Sequence, residues 1–244
     1  MVSKIVNLTV TFLLLSFLST AQIYLGGHLG LNAGYNNSKS FNTFRDAYNL
    51  SNETYINKKM SKPILAYGFG GQFDCYVGHL FSAVGFTRTS ASARATFPNK
   101  AERHMTMNQL SINALIGYAS NGDMNEFSIY SGFTGSFSSI IGYVKYPTKD
   151  RDYTYGTISG IFTSPGFRVP LCFQFSRKIE ETNFWFYSRL TAVVLSATKL
   201  TYFNTINSAG FGSSALVYGD VEIIDDTKQV LLEIGIKYKI DTKW

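Results

Sequence analysis

The chain has 244 residues, which suffices for one β-barrel or two small domains, and its formal charge is a modest +6. Hydrophobic residues make up an ordinary 45%, but charged residues only 16%, against about 25% in soluble domains. The basic residues lie in connections beside acidic ones, not on one element with stacking aromatics, which argues against nucleic acid as a partner.

Aromatics reach 16%, with 16 Tyr, 20 Phe and 21 Gly, a composition suited to β-structure with close backbone approaches. Residues 1–21 read as a secretory signal: Lys4 gives the positive start, Ile5 to Leu18 the apolar run, and Ser19-Thr20-Ala21 a small-residue cleavage site before Gln22. That run is too short for the ~20 residues of a spanning helix and contains Asn7, Thr9 and Thr11. No later segment is apolar enough for a helical span, although barrel strands hide their apolar surface in alternation. Residues 22–244 are expected to form one domain.

The first strand is expected from Ile23 to Tyr35, with Ile23, Leu25, Leu29, Leu31, Ala33 and Tyr35 on one face and Tyr24, His28 and Asn32 on the other. Asn36 to Lys62 reads as a long polar loop. Strand two starts near Pro63 and sets Leu65, Tyr67, Phe69, Phe73 and Cys75 against Gly68, Gly70, Gln72 and Asp74. Gly78-His79 is a tight turn into strand three, where Leu80, Val84 and Phe86 oppose Ala83, Gly85 and Thr87. Arg88 to His104 reads as a second long loop. Strand four, Met105 to Ala119, puts Leu110, Ile112, Ala114, Ile116 and Tyr118 opposite Gln109, Ser111 and Asn113.

Asn121-Gly122-Asp123 marks a turn. Strand five runs from about Glu126 to Phe137, and the third long connection, about 138–164, begins as a strand extension because Ile141 and Tyr143 keep the phase. Strand six, Pro165 to Arg177, sets Phe167, Val169, Leu171, Phe173 and Phe175 against Arg168, Cys172, Gln174 and Ser176. Lys178 to Thr182 is a short turn. Strand seven, Asn183 to Thr198, opposes Phe184, Phe186, Leu190, Ala192 and Val194 to Tyr187, Arg189 and Thr191, with Trp185, Val193 and Leu195 blurring the inner face. A fourth long loop, about 199–227, leads to the closing strand from Gln229. There Val230, Leu232, Ile234, Ile236, Tyr238 and Ile240 share one phase; Gln229, Glu233, Gly235, Lys237 and Lys239 share the other.

The expected fold is therefore all-β: an eight-stranded antiparallel up-and-down transmembrane β-barrel with four long outer loops and three short periplasmic turns. Each strand reaches the ~9–11 residues needed to cross a bilayer at a tilt. A lipocalin-like soluble barrel would carry charge on its outer face, yet the polar phase here is mostly Gly, Ser, Thr, Asn and Tyr, suited to a narrow lumen. Slipping one residue would turn Arg168, Arg189, Glu233 and Lys237 toward lipid, at about 2–4 kcal/mol for each cation near mid-membrane and somewhat less for the carboxylate.

An apolar-phase strand ending the chain at Trp244 resembles the closing strand of bacterial outer-membrane barrels, and the pattern as a whole resembles OmpX- or OmpA-type barrels. The signal ending before Gln22 and the long tyrosine-rich strands are similar to PorT-like outer-membrane β-barrel proteins. These resemblances imply the bacterial outer membrane, with Tyr238, Ile240 and Trp244 as a C-terminal signal to the barrel-assembly machinery. They supply no catalytic or ligand residues. No further periplasmic domain is expected after the last strand.

The sharpest constellation is the inward set His28, Gln72, Asp74, Arg168, Arg189, Glu233 and Lys237. It reads as a paired polar plug in preference to a proton path, gate or ligand site, since charges in a narrow interior must be paired; Glu233 with Arg189 is the expected salt bridge. Lys58, Lys59, Arg94 and Arg103 are candidate loop contacts to lipid phosphates, including lipopolysaccharide, or to other envelope proteins. A lipid-modifying or proteolytic enzyme would use His104 or His28 as base, and a narrow pore is a third reading. Gly26 to Gly30 lies within a strand with no helix after it, so a phosphate loop is disfavoured. Cys75 and Cys172 face opposite ways and should not pair. No metal, cofactor or catalytic residue is expected; the role expected is structural or binding, through the outer loops.

Overall fold

The computed structural model describes residues 23–120, 122–148, 166–197, 199–200, 223–224 and 228–242. Eight strands close a barrel: β1 (Ile23–Asn37), β2 (Leu65–Val77), β3 (Leu80–Thr96), β4 (Glu102–Ala119), β5 (Asn125–Lys145), β6 (Gly166–Lys178), β7 (Phe184–Ala197) and β10 (Lys228–Thr242). Every neighbour in the ring is antiparallel, and β1 closes on β10 from Ile23↔Thr242 to Asn37↔Lys228. Two short strands, β8 (Lys199–Leu200) and β9 (Ile223–Ile224), pair outside it. The expected signal, the turn residue Asn121, most of the third and fourth connections, and Trp244 fall outside the described residues.

Alternation sorts the side chains as the sequence demands. His28, Asn32, Gln72, Asp74, Arg168, Arg189, Glu233 and Lys237 are buried, while Leu29, Leu31, Phe73, Ile116, Phe133 and Ile234 stand well exposed on the outside. Cys75 and Cys172 lie on these opposite faces as free thiols. The outer apolar run on β10, Val230 to Ile240, covers ~33 Å of strand, or ~25 Å of height at a ~40° tilt. Phe81 and Leu115 instead turn inward and join Tyr76, Tyr130 and Cys172 in an apolar filling between the lumen's polar groups.

The connections alternate as expected, with two corrections. Residues 36–62 are not an irregular loop, because α1 (Lys39–Ser51) forms within them. The Ser38 side chain caps it by accepting from Phe41 N at 3.2 Å. Phe41 and Tyr48, two turns apart on one face, are buried to 1% and 2% exposure. Asn49 then pins the return segment, donating to Met60 O and accepting from Met60 N at 2.8 Å. Nor is the stretch from Arg88 to His104 a loop: β3 and β4 continue through it as a long hairpin turned at Phe97–Ala101, with Lys100 at φ 62°. His104 therefore sits inside β4, not at a loop junction.

Along this hairpin the two faces exchange character. Up to Phe86 on β3 and from Leu110 on β4 the outer face is apolar but for Ser82; beyond, it carries Arg88, Ser90, Ser92 and Arg94, and Asn108, Thr106, His104 and Glu102. Ser90 donates to Asn108, and Ser92 bonds Thr106. The inner face becomes apolar at the same level: Ala93, Ala95, Met105 and Met107 form a small core with Phe41, Tyr48, Met60 and the partly buried Ile56. Backbone bonds from Asn57 and Lys58 to Thr96 tie the segment after α1 to the tip of β3. The barrel thus wears a small cap built like a water-soluble domain.

Removing a buried aromatic should loosen this cap selectively. Phe41→Ala is expected to cost the cap about 3–5 kcal/mol, exposing residues 38–62 to protease while the barrel strands stay protected. Equal loss of protection in the strands would show that cap and barrel are one cooperative unit.

Candidate functional site: the charged lumen

The lumen holds its charge in layers. Nearest the short turns, Glu126 at the start of β5 accepts from Lys237 at 2.5 Å and from Lys239 at 3.2 Å, both reaching across from β10. Tyr76 accepts from Lys237 at 2.7 Å. The two ammonium groups lie over aromatic faces: Lys237 4.6 Å from the Tyr76 ring, Lys239 4.4 Å from Tyr24, and both within 6 Å of Trp185. Trp185, expected to blur the inner face, is a wall of this aromatic box.

The next layer is continuous with it. Asp74 takes hydrogen bonds from Gln72 at 2.7 Å and from Tyr76 at 3.3 Å, and it contacts His28. Arg189 donates to Gln72 and to Glu233, each at 2.5 Å, and to Tyr130. Tyr187 adds a second donor to Glu233. The expected Glu233–Arg189 pair is formed, on directly opposed positions of β10 and β7. Glycine makes the room: a Cβ at Gly30 would collide with the Tyr187 hydroxyl and come within 2.9 Å of Glu233, and one at Gly70 would lie 3.0 Å from Glu233 Oε2. That, and not phosphate binding, accounts for glycine at these positions of β1 and β2.

Toward the long loops Arg168 donates to Gln109 at 2.8 Å, and Gln109 to Ser138. Between this pair and the Arg189 layer lies a chamber of about 40 Å³, edged by Thr89, Asn113, Gln229 and Glu233. It has room for a few waters at ~10–15 Å³ each. All seven expected lumen residues are thus buried, six within one connected network and Arg168 beyond the chamber. Sequence reading missed Glu126, Tyr76, Tyr130, Tyr187 and Lys239 as members of that network. Their inward phase was legible, but which residues meet across the lumen depends on the barrel's register.

The four expected loop contacts fare unequally. Lys58 is exposed, and Lys59 is exposed but paired with Glu53 at 2.6 Å. Arg94 faces outward beside Glu102 at 3.4 Å. Arg103 is not available: it is fully buried beneath the cap, where burial lowers its pKa against the opposing influence of Tyr48 and Tyr146. The alternation that puts Arg94 outside puts Arg103 inside. Arg88 is exposed on the outer face between Phe69 and Leu110, where the apolar band ends. At the C-terminus Tyr238 and Ile240 point outward from the barrel.

His104 stacks on Tyr143 at 4.8 Å and bonds Glu102 at 2.9 Å, while His28 packs against Tyr187 and Asp74. Among the described residues neither histidine has a serine, threonine or cysteine as a hydrogen-bond partner. No group of three or more metal-binding side chains occurs among them either.

The lumen makes an unequal pair of substitutions informative. Glu126→Gln leaves two ammonium groups buried without their carboxylate and should cost about 3–5 kcal/mol. Lys239→Met keeps the Glu126–Lys237 pair and should cost less than half as much. Urea unfolding of the lipid-reconstituted protein compares them, and equal losses would contradict the shared-carboxylate arrangement.

No protein-family model matches the chain, and no curated protein matches it. Among solved structures it resembles Neisserial surface protein A, at 11% identity over 89% of this chain and 97% of that one, with a TM-score of 0.37. So loose a likeness transfers no residue or activity, and the fold stands on the strand register itself.

Proposed function

We propose that the protein is a bacterial outer-membrane β-barrel with a structural or binding role exercised by its exterior cap and loops, not by catalysis. The observation that carries this reading is the exchange of faces along β3 and β4. An apolar band encircles the barrel at the height of its polar lumen and gives way to an ordinary polar exterior above, as expected where hydrocarbon ends and water begins. Soluble monomers rarely expose apolar patches beyond a few hundred Å²; here dozens of large apolar side chains share one band. Arg88, at the band's outer edge, would pair with a phosphate of the outer leaflet, including lipopolysaccharide. Leu50 and Tyr55, 75% and 65% exposed on the cap, offer a surface to another envelope protein. Tyr238 and Ile240 suit the closing-strand signal read by the barrel-assembly machinery.

The lumen's ion pairs favour a closed barrel over a pore. In cells the protein should fractionate with the outer membrane and migrate faster unheated than boiled on a denaturing gel; a soluble periplasmic protein would overturn the reading. In a planar bilayer it should show no unitary steps, and steady conductance would contradict the closed lumen.

A further inference from the structure

The outer band is not uniformly bulky. A groove of about 430 Å³ crosses it on the β4–β7 side, lined by Tyr118, Ile129, Phe173 and Leu190, with Ser188 in its wall and Leu232 at its far end. Strand register explains the shape. Tyr118 opposes Ile129, Ile129 opposes Phe173, Phe173 opposes Leu190, and Leu190 opposes Leu232. These five form one continuous rung across five strands. The adjacent rung carries Phe127 and Phe175, in contact at 4.9 Å, and then Ser188, where a large side chain would have filled the trough.

Four strand spacings of ~4.8 Å make the trough about 19 Å long, the length of a long saturated acyl chain. Its direction is equally telling. Tyr118 lies one residue from the turn end of β4. A rung of that length across strands tilted ~40° rises about 12 Å, so the trough climbs from the turn-side rim toward mid-barrel, within the ~15 Å depth of one leaflet's hydrocarbon. Two residues beyond Phe175 on the same face stands Arg177, exposed and flanked by Asn125 and Phe186. No carboxylate pairs with it among the described residues.

We infer that this trough seats one acyl chain of a phospholipid from the periplasmic leaflet, with the lipid phosphate on Arg177. The inference rests on the membrane reading above. Apolar length and volume match the chain, and the cation stands on β6 just past the trough's lower wall, on the interfacial side, within reach of a phosphodiester. A second copy of the chain is a less suitable occupant, since a trough one chain wide gives a flat protein face little to fill.

The test uses the full-length protein refolded into phosphatidylethanolamine vesicles, extracted into mild detergent and weighed by native mass spectrometry. Ser188→Phe fills the trough. Ser82→Phe adds the same bulk on the outer face of β3, away from it. Wild type and Ser82→Phe should each retain one phospholipid. Ser188→Phe should retain about tenfold less, the effect of losing roughly two methylenes' worth of contact. Arg177→Gln should lower retention of phosphatidylethanolamine to that of a diacylglycerol with the same chains. A lipid-free wild type, equal loss in both phenylalanine variants, or a protein dimer in place of the lipid adduct would overturn the inference. Retention unchanged by Arg177→Gln would overturn the phosphate contact. Heat-modifiable migration is read on every sample: a wild type that inserts yet holds no lipid sinks this site alone, whereas one that never inserts sinks the membrane reading with it.

Discussion

A strand that crosses hydrocarbon must find every backbone partner on its two neighbours, because nothing in the lipid can supply one. Closure of β10 onto β1 over fifteen paired positions meets that requirement and leaves no edge. With the backbone settled, side chains have two destinations. Outward positions can be greasy without cost. Inward ones share a space so narrow that a charge survives there only beside its partner.

The lumen shows how far that pairing reaches. Glu126 on β5 serves two lysines from β10, and Arg189 on β7 links Glu233 on β10 to Gln72 on β2. Such bonds run across the cylinder and fix its cross-section, much as core packing fixes a globular domain. The glycines opposite one another at Gly30 and Gly70 belong to the same design, giving up side chains where Glu233 and Tyr187 need volume. A barrel filled this way is a scaffold whose differences from its surroundings lie at its ends and on its outer face.

Much of this was legible from residue order alone. The eight barrel strands, the inward or outward fate of Arg168, Arg189, Glu233 and Lys237, and the Glu233–Arg189 pair all follow from a period of two and from the cost of charge in lipid. The cap was missed because the period-two rule was applied with one polarity. Past Phe86 the apolar phase on β3 changes sides, so Ala93 and Ala95 read as loop residues when they form the underside of a core. Arg103 was misplaced for the same reason, since charge near a turn suggests solvent unless a helix lies over it. The helix itself had a signal, Ser38 followed by Phe41 and Tyr48 at helical spacing, which polar neighbours obscured. The meeting of Glu126 with Lys237 could not be read at all, because it depends on how strands distant in sequence are staggered around a ring.

The central claim is that one outer face meets two solvents. Spin labels at single cysteines on the outer phase of β4, with Cys75 and Cys172 replaced by serine, measure this directly in reconstituted bilayers. At positions 110, 112, 114 and 116, dissolved oxygen should relax the label far more than a water-soluble nickel complex; at 108, 106 and 104 the preference should reverse. A uniform preference along the strand, or water access at 112 and 114, would contradict the account.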